Sequence, residues 1–360
     1  MLTNWLSFVD QWPLWLQLAT YVVGLALGVF CLVKFCNIFV DASCAIAKKM
    51  KISPLIIGLT IVAMGTSLPE LAVSVSDSIT ALLNNGNAEM AIGNVVGSNI
   101  CNLLLVLGFS VVFTPIVVKK NTLKHEFPIL IGISAIVVIF VFLFGLGSVT
   151  GEIVITRWEG GILVVGIVAY IVYLVISAKR HPEQIEVEET EIKDMVLWKS
   201  ILLTVLGAVG IFAGGQFVEF GARGLAMEGA MAMGLNEDLA TSLVGLTIVA
   251  VGTSLPELVT STIAAKKGQN EIALGNVIGS NIFNSLFVLG IASTVCPLKA
   301  GNQVYADVVF MMVITLLTFV FALRGKLKRG HGITLLSIYG VYLAYLIMRT
   351  LKPEWFGWMM

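Results

Sequence analysis

Apolar runs of about 20 residues, the length a helix needs to cross a hydrocarbon core, recur from one end of the chain to the other. Short polar stretches separate them. The pattern predicts ten helices, near residues 15–46, 54–83, 89–117, 127–147, 156–178, 198–225, 241–265, 271–297, 304–323 and 332–350. Several runs approach 30 residues, so their helices should tilt, break or extend past the bilayer. Five helices precede the charged stretch 179–199 and five follow it. Within that stretch HPEQIEVEETEIKD, residues 181–194, is acidic and short, and reads as a solvated connector.

Two polar phrases interrupt the apolar background, and each occurs twice. Residues 58–70 read GLTIVAMGTSLPE and residues 245–257 read GLTIVAVGTSLPE, alike at all positions but one. GNVVGSNICN at 93–102 is answered by GNVIGSNIFN at 275–284. The first pair of phrases is offset by 187 residues and the second by 182, so the first copy carries a longer connector around Leu83–Asn87. A repeat with an odd number of helices enters the membrane from opposite sides in its two copies, the inverted arrangement of secondary transporters. The expected fold is an all-α polytopic membrane protein of ten transmembrane helices in two inverted five-helix repeats, with helices 2 and 7 broken. Residues 1–178 form the first repeat, 179–199 a short charged cytoplasmic loop, and 200–360 the second repeat.

Charge supports that topology. With the N-terminus outside, the inward loops hold 16 of the 22 lysines and arginines, which is the positive-inside bias. Both termini are then extracytoplasmic. No basic stretch precedes the first apolar run, so no cleavable signal peptide is expected. Tryptophans 12, 15, 158, 198, 355 and 358 fall near helix ends, as in an aromatic belt. At 58% hydrophobic, 12% charged and a mean hydropathy of +0.95, the chain is excluded from the soluble class. Its net charge of zero gives no basic surface for nucleic acid. The five cysteines are scattered through apolar segments and read as packing residues.

The repeated phrases bring polar chemistry into the membrane. Pro69 has no N–H and its ring clashes with the carbonyl of Gly65, so the pair should break the second helix; Gly252 and Pro256 should break the seventh. Freed carbonyls at that depth are tolerated where they line an enclosed or wet cavity. Thr66, Ser67 and Glu70 can share one helix face, and Ser98 and Asn102 lie four apart on the next helix. The second copy supplies Thr253, Ser254, Glu257, Ser280 and Asn284. The two glutamates, four serines and two asparagines offer ten side-chain oxygens, more than the 6–8 that one calcium ion takes. No sulfur or imidazole joins them, which argues against zinc or copper. Gly58, Gly93, Gly97 and their partners read as helix-packing residues, but packing gives no reason to bury two carboxylates at matching places. Asp77, whose repeat counterpart is Ala264, reads as lining the entrance to the site; Asp41 and Glu219, in the similar phrases NIFVDAS and GQFVEFGA, read as marking the membrane interface. His125, His181 and His331 fall in predicted loops.

GTSLPE followed by GxxGSNxxN, in two copies, resembles the paired alpha repeats of the calcium/cation antiporter superfamily, in its prokaryotic sodium/calcium exchanger branch. The resemblance spans essentially all ten helices. It implies sodium-driven calcium extrusion by alternating access, with the first and sixth helices sliding across the bundle. Glu70 and Glu257 would bind calcium, helped by backbone carbonyls of Ala63, Thr66, Ala250 and Thr253. Ser67, Ser98, Ser254 and Ser280 would complete the sodium sites, with Asn102 and Asn284 flanking the centre. Asparagine at both flanking positions argues against potassium co-transport. Calcium and sodium are thus the expected transported ions, with the lipid bilayer as environment and no cofactor, nucleic acid or obligatory protein partner. The expected location is the plasma membrane, the inner membrane in a Gram-negative bacterium. A proton-coupled or broad-range divalent cation antiporter on the same scaffold is the alternative. A passive cation channel is a different class, whose pore inverted broken helices can also line, told apart by conductance far above carrier turnover; an intramembrane hydrolase lacks any GxSxG or HExxH phrase.

Overall fold

The computed structural model describes residues 9, 11–84, 88, 90–144, 153–180, 195–234, 244, 250–300, 303–352 and 355. Helix α1 spans Leu14–Met50 and stops where Lys51 turns left-handed, at φ 53°. Helix α2 runs Pro54–Thr66 (α2a) and Leu68–Leu83 (α2b), bent by 48° at the single residue Ser67. Then follow α3 (Met90–Phe113), α4 (Thr122–Phe142), α5 (Arg157–Arg180) and α6 (Leu197–Ala232). Of α7, Ala250–Thr253 and Leu255–Lys266 (α7b) are described; most of the predicted span 241–249 lies outside the described residues. Helices α8 (Asn270–Val295), α9 (Gln303–Ala322) and α10 (Arg329–Leu351) complete the order. Eight of these helices are long and apolar enough to span a bilayer, and bent α2 adds a ninth.

The predicted helix bounds hold to within a few residues, with physical reasons for the exceptions. Helix α3 ends before Pro115, short of residue 117. Helix α4 starts at Thr122 rather than 127, because its first turn is a π-turn, Thr122–Glu126, leading into Pro128 at the start of the α-helical part. His125 therefore lies on a helix, and His331 sits in the first turn of α10, stacked on Phe321, rather than in loops. His181 is outside the described residues. Helix α6 runs seven residues past its expected end, to a turn closed by Gly234 at φ 83°.

Two short antiparallel sheets tie the connectors. Strand β1 (Ile116–Val117), after α3, pairs with β4 (Lys326–Leu327), between α9 and α10. Strand β2 (Ile153–Ile155), between α4 and α5, pairs with β3 (Leu298–Ala300), after α8. The innermost helices are α3 and α8, which are mostly buried, while α1, α5, α9 and α10 leave broad apolar faces outward. Helices α2a and α8 approach at backbone distance: a Cβ on Gly275 would lie 2.8 Å from the Leu55 carbonyl oxygen, and one on Gly279 would lie 2.7 Å from Ala63 Cβ. Small residues allow this, and it brings the two repeated phrases together.

The sequence pattern does not announce a buried ion pair between α9 and α10. Arg349 donates to Asp307 at 3.0 Å, Tyr342 donates to the same carboxylate at 3.2 Å, and the guanidinium lies over the Tyr345 ring. Arg349 is 7% exposed and acts as an internal clamp between the two helices.

Candidate cation site

Two helix breaks create the site. Ser67 and Ser254 share one backbone conformation, φ −83° ψ 9° and φ −88° ψ 2°, and each is followed by a helix carrying proline in its first turn. Pro69 and Pro256 cannot donate to the preceding turn, so the chain re-enters the helix one residue after the break. Glu70 and Glu257 then fall in the first turns of α2b and α7b, where the exposed N–H ends favour negative charge. Both are completely buried. On α3 and α8, π-turns begin at Asn102 and Asn284, equivalent residues of the two copies. Such turns rotate the following side chains and occur often at functional sites.

Hydroxyls from both copies converge on Glu257. Ser67 Oγ donates to Glu257 Oε1 at 3.1 Å, and Ser280 Oγ reaches the same oxygen at 3.5 Å. Thr66 Oγ1 lies 3.1 Å from Asn276 Oδ1 and 3.4 Å from Ser280 Oγ. The Ala63 carbonyl already accepts from Ser67 N–H at 3.0 Å and from Thr66 Oγ1 at 3.3 Å. Several buried side-chain atoms have no hydrogen-bond partner among the described residues. Among them are both oxygens of Glu70, Oε2 of Glu257, the Ser98 and Ser254 hydroxyls, and the amide atoms of Asn102 and Asn284. Thr253 is buried and has a partner; Ala250 opens the short turn before it.

Four positioning residues escape a reading of the sequence alone. Asn94 donates to Ser74 at 2.9 Å, and Asn276 donates to Ser261, also at 2.9 Å. The asparagines are 182 apart and the serines 187 apart, so one hydrogen bond recurs in both copies, fixing α3 on α2b and α8 on α7b. A signal for the asparagines exists: each second phrase opens with Gly-Asn. Asp77 accepts from the Met90 N–H at 3.1 Å, at the start of α3.

Helices α1 and α6 flank the breaks. A Cβ on Gly65 would lie 2.9 Å from Phe39 Cζ, one on Gly215 would lie 3.5 Å from Pro256 Cγ, and one on Gly252 would lie 3.9 Å from Glu219 Cβ and Cγ. Asp41 forms an ion pair with Lys267, the residue that caps α7b, and Cys36 Sγ lies 3.1 Å from Thr260 Oγ1 on α7b. Asp41 and Glu219, read from the sequence as marking the membrane interface, belong to helices longer than a bilayer span requires. Each lies more than two turns inside its helix, α1 continuing to Met50 and α6 to Ala232.

With this geometry in view, comparison with known proteins is decisive. The family model described as sodium/calcium exchanger protein matches residues 20–179 and 199–348. The chain belongs to the sodium/calcium exchanger family. Among relatives, CaxA of Alkalimonas amylolytica is 36% identical over 84% of this chain and 90% of its own length. The sodium/calcium exchanger MaX1 of Methanosarcina acetivorans is 30% identical over 89% of this chain and 97% of its own. A structure of the sodium-calcium exchanger NCX_Mj, soaked with Na+ and Sr2+, superposes with a TM-score of 0.72 at 30% identity, covering 91% of this chain and 98% of that one. This exchanger-family chain is thus a multi-pass helical membrane protein of an antiporter family, and its two repeated phrases meet in one buried polar centre.

Proposed function

We propose that the protein exchanges sodium for calcium across the membrane through a single site built from Glu70 and Glu257. The observation that carries this reading is the cluster of buried, unpartnered oxygens around the two glutamates. An unmade hydrogen bond costs about 1–3 kcal/mol for each buried group, and two carboxylates in a dry cavity repel one another. A cation removes both costs. Glu70 and Glu257 together take calcium, with carbonyls of Ala63, Thr66, Ala250 and Thr253 as candidate further ligands. Ser67, Ser98, Ser254 and Ser280 complete sites for sodium, flanked by Asn102 and Asn284. Occupancy by one calcium, or by two or more sodium ions, neutralises the pair and permits occlusion. Shared ligands make the ions compete, which couples their movements.

The same reading treats residues 1–178 and 200–360 as two inverted five-helix halves joined by 179–199. The small sheets support it. Shifting by 182 carries Ile116 of β1 onto Leu298 of β3, so each sheet joins the strand after the third helix of one half to the connector between the last two helices of the other. A two-fold axis in the membrane plane produces that pairing once on each side. The polar ties between α1 and α7b support alternating access, because they are not duplicated. Counterparts of Cys36 and Thr260 are Gly214 and Val73, and the counterpart of Lys267 is Thr80. In this reading the ties hold the bundle closed on the Lys267 side, as in one of two alternating states.

The test is radioactive calcium uptake into proteoliposomes loaded with sodium, against vesicles loaded with potassium or given only a pH gradient. Uptake that requires internal sodium and is lost in Glu70→Gln and Glu257→Gln is expected. Uptake driven equally by a pH gradient would refute sodium coupling and favour the proton-coupled alternative.

A further inference from the structure

Glu219 is a third carboxylate at the depth of the helix breaks. It faces Gly252, where a Cβ would lie 3.9 Å from the Cβ and Cγ of Glu219, one residue before Thr253 and five before Glu257. One turn earlier on α6, Gly215 packs on Pro256, so the two antiparallel segments run in register along the approach to the site. Glu219 is half-buried and makes no hydrogen bond or ion pair among the described residues; Arg223 lies one turn further along α6. Its counterpart Asp41 differs in this respect, being held by Lys267.

A carboxylate packed beside a helix break in a membrane-spanning bundle is expensive unless it serves a task. Packing does not supply one here, since Gly252 meets only the aliphatic stem and the residue is not fully buried. Helix stabilisation is no better, as the residue is far from either end of α6. A partly exposed negative charge packed beside the break before Thr253, offset only in part by Arg223 one turn away, raises the local cation concentration and the rate of entry.

Resting on the exchange reading above, we propose that Glu219 is a positioning residue for the transported cation, lining the path to Glu70 and Glu257 from one side of the membrane only. Asp41, neutralised by Lys267, does not perform this role on the opposite side. The cation is drawn in by charge, before it meets the buried ligands, so a divalent ion gains more than a monovalent one.

The experiment measures the calcium KM separately from each side of proteoliposomes, for the unaltered protein, Glu219→Gln and Glu219→Asp. The Gln variant is expected to raise the KM about 3- to 10-fold from one side, with kcat within about twofold. High concentrations of choline chloride should shrink the difference, and the Asp variant should restore most of the affinity. Unchanged KM on both sides overturns the inference. Equal loss on both sides with a fall in kcat, or no recovery in the Asp variant, also overturns it in favour of a structural role. Absence of sodium-dependent calcium flux in the unaltered protein would instead bring down the exchange reading, and this inference with it.

Discussion

Adding one methyl group at Gly279 should disturb the site without touching any proposed ligand side chain. A Cβ there would lie 2.7 Å from Ala63 Cβ and 2.8 Å from both Cα and the carbonyl oxygen of Leu59. Carbon atoms sit comfortably at ~3.5 Å, so the approach is short by about 0.8 Å, and none of the opposing atoms belongs to a flexible side-chain end. Helices α2a and α8 must separate. Thr66 Oγ1 and Asn276 Oδ1, now 3.1 Å apart, would pass the hydrogen-bond limit. The contact from Ser67 to Glu257, also 3.1 Å, would be carried with them. Overpacking of this kind costs about 1–3 kcal/mol. Loss of about one order of magnitude in calcium affinity corresponds to ~1.4 kcal/mol. Thermal unfolding in detergent and calcium binding by isothermal calorimetry are the assays for Gly279→Ala. Gly132→Ala is the control, because Gly132 is exposed on α4 with nothing within 4 Å of its Cβ position. An unaltered melting temperature and calcium affinity in Gly279→Ala would refute the claim that close α2a–α8 contact sets the site's geometry.

Other outcomes follow from the same geometry. Breaking the partly exposed pair between Asp41 and Lys267 by Lys267→Met should shift the conformational balance about 2- to 5-fold toward opening on that side, since such pairs are worth up to about 1 kcal/mol. Increased labelling of a Thr260→Cys variant by an impermeant thiol reagent checks this, and unchanged labelling opposes it. Asp307→Asn leaves the Arg349 guanidinium buried beside an uncharged partner and should destabilise the protein by about 3–5 kcal/mol. Replacing both residues with leucine should recover most of that loss; a fully stable single variant would show that the clamp is dispensable. Glu70→Gln and Glu257→Gln should each abolish calcium flux while the protein stays monodisperse, because either change alone disrupts a shared centre.

The duplicated phrases carry much of the picture on their own. Apolar length sets the helix positions, because a membrane span must satisfy its backbone internally and declare itself by composition. The break at Ser67 is legible from Gly65 and Pro69, since a missing N–H is a local property. Asn94 and Asn276 are equally visible as repeated letters, but their task is not. Their partners Ser74 and Ser261 sit on another helix, and no spacing rule reports which hydroxyl an amide will meet.

Sequence alone therefore determined the membrane class, the helix order and the two kinked carboxylate-bearing segments, all of which depend on neighbours within a few residues. Tertiary structure decided that Ser67 serves Glu257 and not Glu70, that Asp41 is held by Lys267 while Glu219 is not, and that Asp307 and Arg349 are buried together. Those facts arise from how close the helices approach and at what register. Small residues at the crossings, such as Gly275 against Leu55 and Gly332 against Gly108, permit both through contacts between positions far apart in the chain.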